Sequence, residues 1–323
     1  MRWQTETQIP PFNFTISHES NLLLLGSCFA ENIGARLENA KFKVVQNPTG
    51  IVYNPLSLQQ TVELICSDKL FTAADLEFAN EIYFSYKHHS RFSAASAEAA
   101  VQNINAALAG ARKKLSETTV VFISLGSAFY WWHKAKNEIV NNCHKQPGQL
   151  FEQHLASVAE VTSALKTCVE LLQKANPKVE IVFTVSPIRH LKHGSAGNQL
   201  SKSTLVVAAQ EMVAAQKNLH YFPSYELLLD DLRDYRFYEE DLIHPNKQAV
   251  DYIWEKFTDC FFPKETQQLN TQVNGIQNML RHRIFEPNSA SAKKFAASLQ
   301  LEISNCPLSF EKEFSLWQKS NGL

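Results

Sequence analysis

The sequence predicts a doubly wound α/β domain, a parallel sheet with helices on both faces, and three observations carry that expectation. Apolar runs that read as buried strands alternate with helical patterns: Leu22-Leu23-Leu24-Leu25, Thr119-Val120-Val121-Phe122-Ile123-Ser124-Leu125 and Val179-Glu180-Ile181-Val182-Phe183-Thr184-Val185. Glycine is scarce, with 10 in 323 residues, yet Gly26, Gly50 and Gly126 all fall at or just beyond predicted strand C-termini. A chain this sparing with glycine places it where the backbone must bend or lie close to a ligand, so those loops are expected to converge on one crevice. Beyond Pro263 the pattern becomes purely helical.

Taken in order, residues 1–20 contain Pro10-Pro11 and little periodicity, and are expected to form an extended lead-in over the sheet. The leucine run ends at Gly26 and a helix leaves it over Phe29 to Glu38. Lys41 to Gln46 reads as a second strand, closed by the constrained loop Asn47-Pro48-Thr49-Gly50-Ile51-Val52-Tyr53-Asn54-Pro55. A helix from about Leu56 to Cys66 follows, then an irregular region, then the alanine-rich helix Ala94 to Leu115. The strand ending at Leu125 is β-branched and uncharged inside, which places it mid-sheet, and Gly126-Ser127 opens an aromatic stretch through Trp131-Trp132-His133. A long helix from Glu152 to Lys174, the strand to Val185, a helix near Gln199 to Lys217 and a short strand at Leu219-His220-Tyr221-Phe222 complete the alternation. The loop from Asp230 to Asn246 precedes a helix over Lys247 to Phe257, and three candidate helices, Glu265 to His282, Ser289 to Leu299 and Pro307 to Gln318, make up the tail. The expected division is therefore an α/β domain over residues 1–262 and a helical C-terminal extension over 263–323.

Composition narrows the function classes. Hydrophobic content of 45% fills a large core, and a formal net charge of −1 without long single-sign runs argues against a nucleic-acid or anionic-membrane partner. The start of the chain lacks an apolar leader region and no run approaches a membrane span, so a cytoplasmic protein is expected. Six scattered cysteines, Cys28, Cys66, Cys143, Cys168, Cys260 and Cys306, read as free thiols.

Two stretches carry chemistry. Ser27 follows a glycine at a strand-to-helix turn, where open α/β sheets keep their sites and where helix N–H groups point at whatever its oxygen would attack. Taken alone, the turn reads as an ordinary serine N-cap. Far along the chain, Asp241 and His244 lie three residues apart, close enough for the carboxylate to orient the imidazole as general base for a serine hydroxyl. A DxxH pair often only caps a helix, and it is the serine early with Asp-x-x-His late that suggests a triad. Cys28 is expected to turn toward the interior as a small buried residue, with Ser27 facing the crevice.

Gly26-Ser27-Cys28-Phe29-Ala30, followed by Glu31-Asn32, resembles the signature of the GSCFA family, within the SGNH (GDSL-like) hydrolase superfamily. The similarity extends through Asn47-Pro48-Thr49-Gly50, Ser186-Pro187-Ile188-Arg189-His190 and Asp241 to Pro245, and so covers most of residues 20–260. The resemblance implies a three-layer α/β/α sandwich of flavodoxin-like kind with a mostly parallel sheet, Ser27 as nucleophile, Asp241 and His244 completing the triad, and esterase-type activity. It also implies an oxyanion hole from the Ser27 amide, a second-block glycine matched by Gly50 near Asn47, and an asparagine in a third block after Gly126. The third block here reads Gly126-Ser127-Ala128-Phe129, without asparagine, which leaves Ser127, Asn142 or Asn54 as the replacement donor.

Arg189, His190 and Lys192 are candidates for an anionic group on the substrate, with surface solvation as the equal alternative. Trp131-Trp132 could form a stacking wall or pack in the core. His88-His89, Cys143-His144 and His190 with His193 match no compact metal motif, so neither metal nor cofactor is expected. The expectation is a serine esterase acting on a small-molecule or carbohydrate ester, and the alternative is a non-catalytic module that keeps the pocket for a carbohydrate or acyl ligand.

Overall fold

The computed structural model describes residues 5–322. In chain order the first half comprises β1 (Asn21–Gly26), α1 (Cys28–Asn39), β2 (Lys43–Gln46), α2 (Pro55–Ile65), β3 (Glu77–Ala79), β4 (Ile82–Phe84), α3 (Ala97–Leu115) and β5 (Val120–Leu125). There follow β6 (Phe129–His133), β7 (Glu138–Val140), β8 (Phe151–Leu155), α4 (Val158–Ala175), β9 (Glu180–Val185), α5 (Gly194–Ala215) and β10 (Leu219–Tyr221). The chain then passes through the single turn α6 (Ser224–Glu226), which runs into a π-helical turn, and on to α7 (Lys247–Phe261), α8 (Lys264–Leu280), α9 (Ala290–Ser304) and α10 (Glu311–Asn321).

Five strands form the main sheet in the order β10-β9-β5-β1-β2, every pair parallel. This is the expected three-layer α/β/α sandwich. Alternate side chains on each strand divide the core into two clusters. Leu23, Leu25, Val121, Ile123, Phe183 and Val185 pack under α2, α3, α4 and α5, while Leu22, Leu24, Val120, Phe122 and Val182 pack under α1 and α7. Leu24 registers with Gln46 on one side and Phe122 on the other, so β1 is flanked on both edges and its leucines have no solvent side. The lead-in lies on the α7 face, where Ile16 N–H donates to the Phe261 carbonyl at 2.8 Å and Phe12 stacks on Phe261 at 4.4 Å; residues 1–4 of that segment fall outside the described residues.

The aromatic stretch after Gly126, to which the sequence reading assigns no element, forms an antiparallel sheet, β7-β6-β8, in which Trp131 opposes Val140 and Gln153. β6 is half-buried along nearly its whole length rather than alternating, which hides the period-two signal. The last three helices enclose a small core of their own, Val273, Ile276, Leu299, Phe310 and Trp317. They meet the sandwich at α1, through Gln277 and Arg281 on Asn39 and an ion pair between Lys41 and Glu313. Among the described residues no helix is long and apolar enough to cross a membrane.

Between β1 and β5 the strand order reverses, since β2 lies on one side of β1 and all later strands lie on the other. Ligands of open α/β sheets bind in the crevice outside the strand C-termini at this switch point. Here those termini are Gly26 and Leu125.

Candidate active site

At Gly26 the backbone takes φ +119°, and a Cβ there would lie 2.0 Å from the Ser124 carbonyl oxygen. Only glycine lets the end of β1 pass so close to β5. The turn then delivers Ser27 and Cys28 in opposite directions. Ser27 is the N-cap of α1; its Oγ accepts the Phe29 N–H at 3.3 Å and shares a 2.7 Å hydrogen bond with Ser124 Oγ, and the residue is 0% exposed. Cys28, the first residue of the helix, is partly exposed and lines the cleft above the sheet. The expectation that Ser27 faces the crevice and Cys28 the interior is therefore reversed. Two contacts hold the Ser27 hydroxyl away from the cleft, the Phe29 N–H that it caps and, more closely, the Ser124 hydroxyl on β5.

That cleft has a volume of about 680 Å³ and is bordered by Cys28, Ser127, Asn142, Arg189, His190 and His244 among others. A second groove of about 890 Å³, between α1 and α7, starts from the same Cys28 and His244. His244 is set by its own turn. Asp241 Oδ1 accepts the Ile243 and His244 N–H groups, both at 2.9 Å, and Oδ2 lies 2.6 Å from His244 Nδ1. Leu242, at φ +58°, bends the backbone so that carboxylate and ring meet, and the Glu239 N–H to His244 carbonyl bond at 2.7 Å closes the turn. Those N–H groups and the His244 ring hold the Asp241 carboxyl down to about 2. With Nδ1–H committed to the carboxylate, the lone pair of Nε2 is the one free to take a proton.

Around the thiol the electrostatics are mixed. Burial pushes the Cys28 thiol up, while its own N–H, the Lys202 ammonium and the Phe29 N–H pull it back. Lys202 is 0% exposed and donates to the carbonyls of Gly126 at 2.6 Å and Ser186 at 2.7 Å, tying together the loops that follow β5 and β9. Burial brings its ammonium down to about 7. His190, half-buried and edge-on against Tyr53, is lowered to about 4, first by desolvation and then by Lys202 and His244, and so is neutral at neutral pH. Sequence reasoning missed Lys202, although a lysine on the apolar stripe Leu205, Ala208, Ala209, Met212 of α5 was a signal in plain view.

The remaining expected residues separate into cleft and frame. Ser127 and Asn142 border the cleft: Ser127 Oγ accepts the Phe129 N–H at 3.1 Å, and Asn142 Oδ1 accepts the His144 N–H at 2.8 Å, leaving Nδ2 without a partner among the described residues. Gly50 is not an oxyanion donor in this arrangement, because its N–H donates to the Asn47 carbonyl at 2.7 Å and it borders neither cleft. Asn47 is likewise part of the frame, its Oδ1 accepting the Gly26 N–H at 2.9 Å. The Gly126 N–H is taken by the Tyr53 carbonyl at 2.8 Å, and Asn54 is spent capping α2 through Ser57. Among the described residues no cluster of His, Cys, Asp and Glu is disposed to hold a metal ion; His144 instead bonds the Ser85 and His88 carbonyls.

A family model described as the GSCFA family matches residues 21–257. No curated protein matches the chain. Among solved structures, an active-site mutant of a family two carbohydrate esterase from Clostridium thermocellum is 12% identical, with 75% of this chain and 62% of that one covered at a TM-score of 0.39. A carbohydrate esterase family 3 structure from Talaromyces cellulolyticus is 11% identical, with 78% and 98% covered at 0.34.

Proposed function

We propose that this chain, which belongs to the GSCFA family, is a hydrolase of esterase type whose nucleophile is the Cys28 thiol, with His244 as general base and Asp241 orienting it. The observation that carries this reading is the sharing of one cleft by Cys28 and His244 while Asp241 holds the far ring nitrogen at 2.6 Å. Ser27 does not suit the role, since its hydroxyl caps α1, is bonded to Ser124 and is buried away from the cleft lining.

In this reading the thiol proton passes to His244 Nε2 as sulfur attacks the ester carbonyl. The C=O π pair becomes an oxyanion, for which the Cys28 N–H at the start of α1 and the Asn142 amide are the candidate donors. Collapse of the intermediate breaks the C–O bond, and the leaving alcohol takes its proton from His244. Water then attacks the thioester with His244 again as base, releasing the carboxylic acid and the thiol. Lys202 acts from beneath, as a positioning residue that fixes the loops carrying Ser127 and Ile188.

The test is a panel of aryl esters assayed with wild type, Cys28→Ala and Ser27→Ala, with acyl adducts mapped by peptide mass spectrometry. Turnover lost in Cys28→Ala, kept in Ser27→Ala, and an acyl group on Cys28 support the proposal. A folded Cys28→Ala that still turns over ester overturns it.

A further inference from the structure

The cleft above Cys28 is charged with one sign only. Arg189 and Lys192 border it, and no aspartate or glutamate does. Neither cation forms an ion pair among the described residues: Lys192 Nζ lies 3.9 Å from the centre of the Trp131 ring, and Arg189 also borders the neighbouring pocket with Asp234 and Asp241 without pairing to either. The groove on the other side of Cys28 differs, for it mixes the two signs: Glu239 and Asp251 border it beside Arg36, Lys247 and Arg281, and Asp251 pairs with both Arg36 and Lys247 at 2.5 and 2.6 Å. In a chain whose charges balance to −1, two unpaired cations beside an aromatic wall form a seat for a negative group. His190 between them adds no charge at neutral pH.

We infer that the substrate of this site carries a carboxylate or phosphate, which is held by Arg189 and Lys192 against Trp131 while its ester carbonyl reaches Cys28. This rests on the reading of Cys28 as nucleophile and adds the substrate class.

A matched pair of thiol reagents tests it without turnover: 4-(iodoacetamido)benzoate, which carries an anion, and neutral iodoacetanilide, with labelling of Cys28 followed by peptide mass spectrometry. The anionic reagent is expected to label Cys28 about tenfold faster, the scale of one charge-assisted pair, and saturably. Arg189→Gln with Lys192→Gln removes the preference, and Arg36→Gln keeps it. Equal rates in wild type, or a preference that survives the double variant or disappears in Arg36→Gln, overturn the inference. Protection of Cys28 by phenyl phosphate compared with benzoate tells which anion is seated, and protection by neither also overturns it. Hydrolysis of neutral phenyl acetate and of anionic 4-acetoxybenzoate by wild type is read separately. Turnover without an anionic preference removes this inference alone, whereas a preference without turnover removes the hydrolase reading and leaves the anion seat.

Discussion

Ser27 Oγ lies 2.7 Å from Ser124 Oγ, a hydrogen bond between the turn after β1 and the neighbouring strand β5. Each hydroxyl fills the other's need where both residues are buried, and the same Ser27 oxygen closes the first turn of α1. Ser27 is thus a structural brace, and the Cys28 thiol beside it borders the cleft where the chemistry is proposed.

Ser27→Ala is therefore expected to cost stability rather than catalysis. Losing an N-cap costs about 1 kcal/mol and leaving Ser124 unpaired in the interior adds about 1 to 3 kcal/mol. A lower urea midpoint with an unchanged slope, and kcat within a few-fold of wild type for the folded fraction, are the expected results. An unchanged midpoint with abolished turnover contradicts the brace.

Lys202→Met is expected to raise the pH at which Cys28 becomes reactive. The ammonium is among the groups that lower the thiol, and it donates to two carbonyls that then lose their partner. Alkylation of Cys28 by iodoacetamide across pH 6 to 10 reads the shift. A profile identical to wild type in a folded variant means that Lys202 braces the loops without acting on the thiol.

How much of this was legible beforehand differs by element. The central strands could be read because Leu22–Leu25 and Val120–Leu125 are buried on both faces, and the helical tail could be read because no strand pattern interrupts it. The hairpin sheet after Gly126 could not, since Phe129–His133 is half-buried and aromatic on both faces. At the site, Asp241 and His244 were readable because their partnership is local, three residues apart on one turn. The nucleophile was not, because which of Ser27 and Cys28 faces the cleft depends on Ser124, 97 residues away in sequence. Gly50 and Asn47 were misplaced for a related reason: the same loop supplies both a glycine and the carbonyl that takes its N–H.

Stability is expected to fall with acid well before the carboxylates titrate. His88, 0% exposed, is lowered to about 3, by burial first and then by the charges of His144 and Lys87. Below its ordinary value of 6.5 the unfolded chain binds a proton there that the native state refuses, so stability is lost as pH falls from about 6.5 to about 3 and no further from this group. The full interval is on the order of 5 kcal/mol. His18, His89, His144 and His190 are lowered too and add the same sign. Urea unfolding at pH 7.5 and pH 5 should show this slope in wild type and a slope smaller by about one proton in His88→Leu; equal slopes show that His88 is not the source.

Asp241→Asn separates orientation from charge at the proposed base. Both members of the pair are well exposed, with side chains 46% and 55% accessible, so neither substitution removes core packing and the fold is expected to stand. Asparagine can still accept the Ile243 and His244 N–H groups through one oxygen, but its amide replaces the negative charge that keeps Nδ1–H in place and favours the imidazolium formed when the thiol proton arrives. Loss of that charge in a Ser-His-Asp site lowers kcat about 10⁴-fold. A thiol ionises more readily than a serine hydroxyl and depends less on the base, so about 10²-fold is expected here, with His244→Ala lower still. KM should move little, because Asp241 borders the pocket behind His244 rather than the cleft. The carboxyl is held at about 2, so the wild-type pH profile should show no limb from this group above pH 4, and the variant should differ in height rather than in a shifted acid limb. Full turnover in Asp241→Asn, with the 2.6 Å contact to Nδ1 broken, removes Asp241 from the mechanism and leaves a Cys28–His244 dyad.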